Sequence, residues 1–248
     1  MTTVKNIYDY INSIAPFDTQ EEWDNCGFLS GDFRKEVKTV VMCLDPTKEA
    51  AEFSASVGAD LLLTHHPLIF SGVKKVIKGT ALYTLVENDI AHISAHTNFD
   101  RAVDGINYNL SKLLGLENVT NIDGTFITAG ELSEEMSIDD FAEFVSEALG
   151  TKGIRYTDTD RLIKKVAVGG GACSEYIDIA METADCFLTG DLKYHEMLDA
   201  SQAGYAVISA GHFETENTPF LMLADKLKAL FPDVEFITAP VSNPVHTV

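Results

Sequence analysis

The feature that most constrains the fold is an internal repeat. One copy reads Val37-Lys-Thr-Val-Val-Met-Cys-Leu-Asp45, a helical stretch, then Ala59-Asp-Leu-Leu-Leu-Thr-His65-His66. The other reads Ile163-Lys-Lys-Val-Ala-Val-Gly-Gly-Gly171, a helical stretch, then Ala184-Asp-Cys-Phe-Leu-Thr-Gly190-Asp191. Each continues to a further strand, Ile93-Ser-Ala-His96 and Ile208-Ser-Ala-Gly-His212. Short apolar strands alternating with helices imply mainly parallel or mixed sheets with helices packed outside. The chain is therefore expected to be α/β, a half-fold used twice. Open sheets of this kind place ligands just past the carboxyl ends of their strands.

Around the repeats, an amphipathic helix is expected over residues 4–15, ending before Pro16. The segment 67–79, with Pro67, Phe70 and Lys74-Lys75, is irregular, has no counterpart in the second copy, and suits a flap. Polar residues and glycine at 118–124 mark a seam. It divides a first repeat, 1–124, from a second, 125–216, with 217–248 packing back on the first. In the second half Ser137 caps a helix over 138–149, with Asp139 and Asp140 in its first turn. Thr218-Pro219 is expected to start a helix, with proline at the first helical position. The last strand, 234–238, can join either sheet.

The net charge of −20 argues against nucleic acid or an anionic membrane as partner. Cys26, Cys43, Cys173 and Cys186 show no CxxC spacing, and reduced thiols are expected. The N-terminus lacks the apolar core of a signal peptide, and no apolar run approaches a membrane span, so a cytoplasmic protein is expected.

The chemistry gathers at strand ends. His65 and His66 close one strand, Asp100 lies just past another, and His212 and Glu216 follow the last strand of the second copy. Neighbouring side chains on an extended chain point to opposite sides, so His65 and His66 are expected to serve two ions rather than chelate one. Three imidazoles and two carboxylates suit a metal pair if a carboxylate bridges. Singly, each residue reads first as a cap or loop residue, and the joint pattern leaves both readings open.

The runs Thr64-His-His-Pro67, His96-Thr-Asn-Phe-Asp100, Thr189-Gly-Asp-Leu-Lys-Tyr-His195 and Gly211-His-Phe-Glu-Thr-Glu216 resemble the NGG-one-interacting-factor-three-like family. So does the early Glu22-Trp-Asp-Asn-Cys-Gly27, although its Cys26 stands where an aliphatic residue is expected. Bacterial members are often labelled GTP cyclohydrolase I type 2 homologs. The resemblance spans essentially the whole chain. It implies two intertwined α/β repeats with mixed, mostly parallel sheets flanked by helices, in the short form without an inserted domain. It implies two divalent metal ions per chain on His65, His66, Asp100, His212 and Glu216, and a toroidal homohexamer with the metal sites facing an inner cavity. The donor types suit Zn, Fe, Mn, Co or Ni.

Five further features stand beside that set. His96 reads as a catalytic proton relay or as an orienter of Asp100, and equally as a strand cap. His195 reads as a general acid or phosphate binder, and equally as a packed helix residue. Asp191 reads as a helix N-cap, or as a partner that orients a metal-bound imidazole. Gly169-Gly-Gly171 has the look of a phosphate-cradling turn but lacks a lysine or the full dinucleotide fingerprint. Trp23, the only tryptophan, reads as a core anchor. The expected function is metal-dependent hydrolysis of a small nucleotide-like or phosphorylated molecule. The family label points to GTP, although no Arg cluster for a triphosphate is evident. The alternative is a non-catalytic metal-binding scaffold or regulator.

Overall fold

A computed structural model describes residues 1–246. The chain opens with α1 (Val4–Ile14), β1 (Gly27–Ser30), β2 (Thr39–Cys43), α2 (Lys48–Ser56) and β3 (Leu61–Thr64). Next come α3 (Ala81–Glu87), β4 (Ala91–Ser94), α4 (Thr97–Arg101), α5 (Ile106–Leu113), β5 (Glu117–Asn121), β6 (Thr128–Met136), α6 (Ile138–Leu149) and β7 (Arg155–Tyr156). The remainder is β8 (Ile163–Gly169), α7 (Ile177–Thr183), β9 (Cys186–Thr189), α8 (Tyr194–Gln202), β10 (Ala206–Ser209), α9 (His212–Leu221), α10 (Leu223–Leu230) and β11 (Glu235–Thr238).

Local chemistry sets the helix ends. Thr3 and Asn6 form a capping box on α1, which buries Val4, Ile7 and Ile11 and stops short of Pro16. Ser137 accepts from the Asp140 amide to open α6, and Gly150 closes it in the left-handed conformation.

Two compact units result. One holds Met1–Phe99 with Phe220–Ser242, the other Asp100–Pro219 with 243–246. They part inside α4, upstream of the seam expected at 118–124. Those residues instead turn between β5 and β6, which pair antiparallel at the edge of the second sheet.

The first unit carries a five-stranded sheet ordered β1-β4-β3-β2-β11, with only β1 antiparallel. The last strand therefore joins the first sheet, parallel to β2. The second unit carries a six-stranded sheet ordered β5-β6-β8-β9-β10-β7. Its centre, β8-β9-β10, is parallel, and β5, β6 and β7 run antiparallel to their neighbours. The inner strands β3, β4, β9 and β10 are buried at every position, as strands covered on both faces must be. Leu61, Leu62 and Leu63 are wholly buried, each worth roughly 1.5–3 kcal/mol over exposure.

The duplication extends to single hydrogen bonds. Cys43 pairs with Thr64 and Thr64 with Ser94; at the matching places Gly169 pairs with Thr189 and Thr189 with Ser209. Asp60 accepts from the amides of Lys38 and Thr39 at 2.8 and 3.2 Å. Asp185 accepts from Lys164 and Lys165 at 3.1 and 2.8 Å. The repeated Ala-Asp thus clamps the entry of one strand to the entry of its neighbour. The Ser94 hydroxyl donates to the His65 carbonyl, and Ser209 to that of Gly190.

The expected helix start at Pro219 is not where the helix begins. α9 starts at His212, and Pro219 lies inside it. Gly211, at φ +94°, turns the chain out of β10, and its carbonyl accepts from Thr215 as the first helical bond. The missing amide of Pro219 precedes the break between α9 and α10.

Candidate metal centre

In the first unit two adjacent parallel strands end side by side. β3 delivers His65 and His66, and β4 delivers His96 two residues past its end. The three offer ring nitrogens within 4.8 Å of one another. The strand stops at Thr64, so His65 and His66 escape the alternation of an extended chain. Their ring centroids lie 5.0 Å apart, contrary to the expected divergence. The Thr64 side chain holds the turn, its Oγ1 donating to the His66 carbonyl at 2.6 Å.

Each imidazole has its Nδ1 engaged by oxygen. His65 Nδ1 meets the Ala95 carbonyl at 2.7 Å, His66 Nδ1 meets Asp45 Oδ1 at 2.6 Å, and His96 Nδ1 meets Asp24 Oδ1 at 2.9 Å. An oxygen acceptor at Nδ1 selects the Nδ1–H tautomer and leaves Nε2 with its lone pair, the usual arrangement around metal-binding histidines. Asp24 is itself anchored. Its Oδ2 accepts from the Thr97 amide and hydroxyl at 3.1 and 2.5 Å and from Cys26 Sγ at 2.9 Å. Burial alone would raise its pKa, but the His96, Cys26 and Thr97 hydrogen bonds and the His96 charge hold the carboxyl well below the usual range.

In the second unit His212 opens α9 and Glu216 follows one turn later on the same face. His212 Nε2 lies 3.1 Å from Glu216 Oε2, and its Nδ1 lies 2.7 Å from Asp191 Oδ2. Burial works to lower the His212 pKa, but Glu216 and Asp191 outweigh it and raise it to about 9. Asp100 and Glu216, both buried, offer carboxylate oxygens within 4.8 Å of each other. Like-charged buried groups this close call for a counter-charge. Asp191 is therefore an orienting partner for His212, whereas the N-cap of α8 is Lys193.

The triple glycine has a different use from a phosphate cradle. A Cβ on Gly171, whose φ is +64°, would stand 2.0 Å from Glu216 Oε1 and 3.2 Å from His212 Nε2. The bare backbone there makes room for the ligand-type side chains. The Gly171 amide donates to Thr215 Oγ1 at 3.0 Å, tying the turn to α9.

Other expected residues fall elsewhere. His96 is bound to Asp24. His195 is exposed on α8, its ring edge-on to Tyr194 at 5.4 Å, and belongs to none of the donor groups of three or more among the described residues. Trp23 is no core anchor, since it is 59% exposed. Its loop is held by Asp24 and by Asn25 Nδ2 donating to the Ile69 carbonyl at 2.5 Å, so the ring lies on the surface. All four cysteines are free thiols. The orienting aspartates Asp24 and Asp45 escaped the reading of the sequence. Asp45 lies two residues past β2 and Asp24 sits in the Glu22–Gly27 signature, but their histidines lie 21 and 72 residues away.

Within the first unit the three imidazoles, and within the second His212 with Asp100 and Glu216, are donor types that suit a divalent transition metal. The chain matches the family described as Duf34/NIF3 (NGG1p interacting factor 3) over residues 2–244. It is similar to a Clostridium perfringens protein named "GTP cyclohydrolase 1 type 2 homolog", with 33% identity over 95% of both chains. A Campylobacter jejuni protein of the same name is 35% identical over 92% of both. The crystal structure of Staphylococcus aureus protein SA1388 shares the fold, at a TM-score of 0.90 and 24% identity, covering 100% of this chain and 99% of that one. No helix among the described residues is long and apolar enough to cross a membrane. On that match and those relatives, the chain belongs to the Duf34/NIF3 family.

Proposed function

We propose that the protein is a metal-dependent hydrolase that holds two divalent ions on His65, His66, Asp100, His212 and Glu216 and acts on a small nucleotide-like or phosphorylated molecule. The observation that carries this reading is the common setting of His65, His66 and His212, each with Nδ1 held by oxygen, as in histidines oriented to ligate a metal through the other ring nitrogen. In this reading the donors of the two units make one set of five. Bound there, such ions supply Lewis acidity and a water acidic enough to ionise near neutral pH.

The chain's own residues supply the proton path. Asp24, held ionised, pins Nδ1–H of His96 and gives its Nε2 the role of accepting and returning a proton, as in other Asp–His pairs. His195, exposed on α8, takes the part of a second proton donor or of a contact to phosphate. The name carried by the relatives makes GTP the first substrate to try. Self-association into a ring of six and a cytoplasmic location belong to the same reading, and sedimentation of the purified protein tests the ring.

The decisive experiment measures metal content by elemental analysis and GTP turnover on metal-replete wild type and His65→Ala. Turnover that needs the metal and disappears in the variant supports the hydrolase. Bound metal with equal rates in the two proteins would leave a metal-binding scaffold in its place.

A further inference from the structure

Two large aromatic faces lie exposed beside the histidine cluster of the first unit. Trp23 is 59% exposed and Phe70 is 50% exposed. Their planes are nearly parallel, 14° apart, with centroids separated by 6.3 Å. Both stand edge-on to His96, Trp23 at 5.9 Å and 74°, Phe70 at 5.7 Å and 87°. Neither is a stray surface residue. The Trp23 loop is fastened by Asp24 to His96 and Thr97, and by Asn25 to the backbone of Ile69 next to Phe70. Rigid aromatics held open to water at the rim of a site are what a flat ligand uses, since their ordering is settled before binding.

The same segment supplies charge. In a chain of net charge −20, Lys74, Lys75 and Lys78 fall within five residues of one another, just after Phe70, and all are exposed. Flat apolar faces followed by clustered ammonium groups suit a planar ring that carries an anionic group.

We propose that Trp23 and Phe70 form a stacking subsite for the heteroaromatic ring of an anionic substrate, with the lysines of 74–78 attracting its anionic part. This deepens the proposed function by naming the substrate class, and rests on it only for what lies beside the ring. The two residues are binding residues, with no part in proton transfer.

Because Trp23 is the only tryptophan, its emission reads out the subsite directly. Guanosine 5′-monophosphate is titrated into full-length protein with excitation at the red edge of tryptophan absorption, against ribose 5-phosphate as the ring-less control. Saturable quenching by the nucleotide alone is expected, with Phe70→Ala weakening binding about tenfold to a hundredfold, the range that base–aromatic stacking spans. Phe70 is exposed, so the variant is expected to fold, and its melting temperature checks this.

Equal quenching by ribose 5-phosphate, no quenching at millimolar nucleotide, or an unchanged Kd in Phe70→Ala would each overturn the subsite. So would emission that changes on dilution and ignores nucleotide, because a second copy of the chain would then be covering the ring. Metal content is measured on the same samples before and after chelation. Quenching that survives in metal-stripped protein upholds the subsite whatever becomes of the hydrolase reading. Retained metal without quenching removes the subsite and leaves that reading untouched.

Discussion

The two copies of the repeat share their backbone and differ in their chemistry. β2-β3-β4 and β8-β9-β10 have the same direction and register, and the same aspartate clamp at the strand entries. At the strand exits they diverge. Where the first copy ends β3 with His65-His66, the second ends β9 with Gly190-Asp191. The first copy supplies imidazoles from two strand ends. The second supplies one imidazole from a helix start and turns its strand-end aspartate into that histidine's hydrogen-bond partner. The sheet positions tolerate the divergence because folding depends on the buried strands and the entry clamps, which the exits do not touch. The repeated scaffold thus presents different candidate donors at its two sets of strand exits.

The largest effect should come from the exits. Replacing Asp100 by Ala is expected to remove most of the bound metal while leaving the fold intact, as elemental analysis and far-UV circular dichroism would record. An Asp100→Ala protein with full metal would strike Asp100 from the ligand set.

A second substitution separates the turn from the ligands it accommodates. Gly171→Ala places a Cβ against Glu216, and is expected to lower metal content and to cost about 1–2 kcal/mol of backbone strain. Gly150→Ala has the same φ of +64° and nothing within 4 Å, so it should pay the strain and keep the metal. If both variants lose metal equally, the packing of Gly171 on Glu216 is irrelevant.

A buried histidine unique to the first copy gives the repeats different acid responses. Burial pushes the His92 pKa down from 6.5 to about 3, and its Nε2 lies 2.9 Å from Thr64 Oγ1. Between those pH values the unfolded chain binds a proton that the folded one does not. Stability should therefore be complete above about pH 6.5 and fall on acidification, by about 2 kcal/mol at pH 5 and more toward pH 3. Urea unfolding of metal-stripped wild type and His92→Gln at pH 7 and pH 5 isolates this term. Parallel losses in the two proteins would assign the acid sensitivity elsewhere.

The smallest differences test the equivalence itself. Asp60→Ala and Asp185→Ala should each cost about 1–3 kcal/mol in urea unfolding, since each removes a charged acceptor from two amides. Asp60 should exceed Asp185 only by the few tenths that its partly exposed 3.5 Å pairing with Lys35 adds. A large inequality would break the comparison of the two clamps.

Much of this was legible in the sequence because it is written in neighbouring residues. The apolar runs and their period determine the parallel strands, and the repeated Ala-Asp-x-x-Leu-Thr places Thr64 and Thr189 at matching sheet positions. Ser137 and Gly150 determine the ends of α6. The candidate donors were visible because histidines and carboxylates followed strands. What needed the tertiary structure was everything set by distant contacts. Trp23 lies outside the core because Asp24 and Asn25 fasten its loop to β4's exit and to Ile69. α9 starts at His212 rather than Pro219 because Gly211 turns the chain and Thr215 bonds to the Gly169–Gly171 turn. That placement puts His212 and Glu216 on one helical face. The partners of the histidines, Asp24 and Asp45, were likewise undetermined by spacing, because a hydrogen bond across 72 or 21 residues exists only once the sheet has brought its strand ends together.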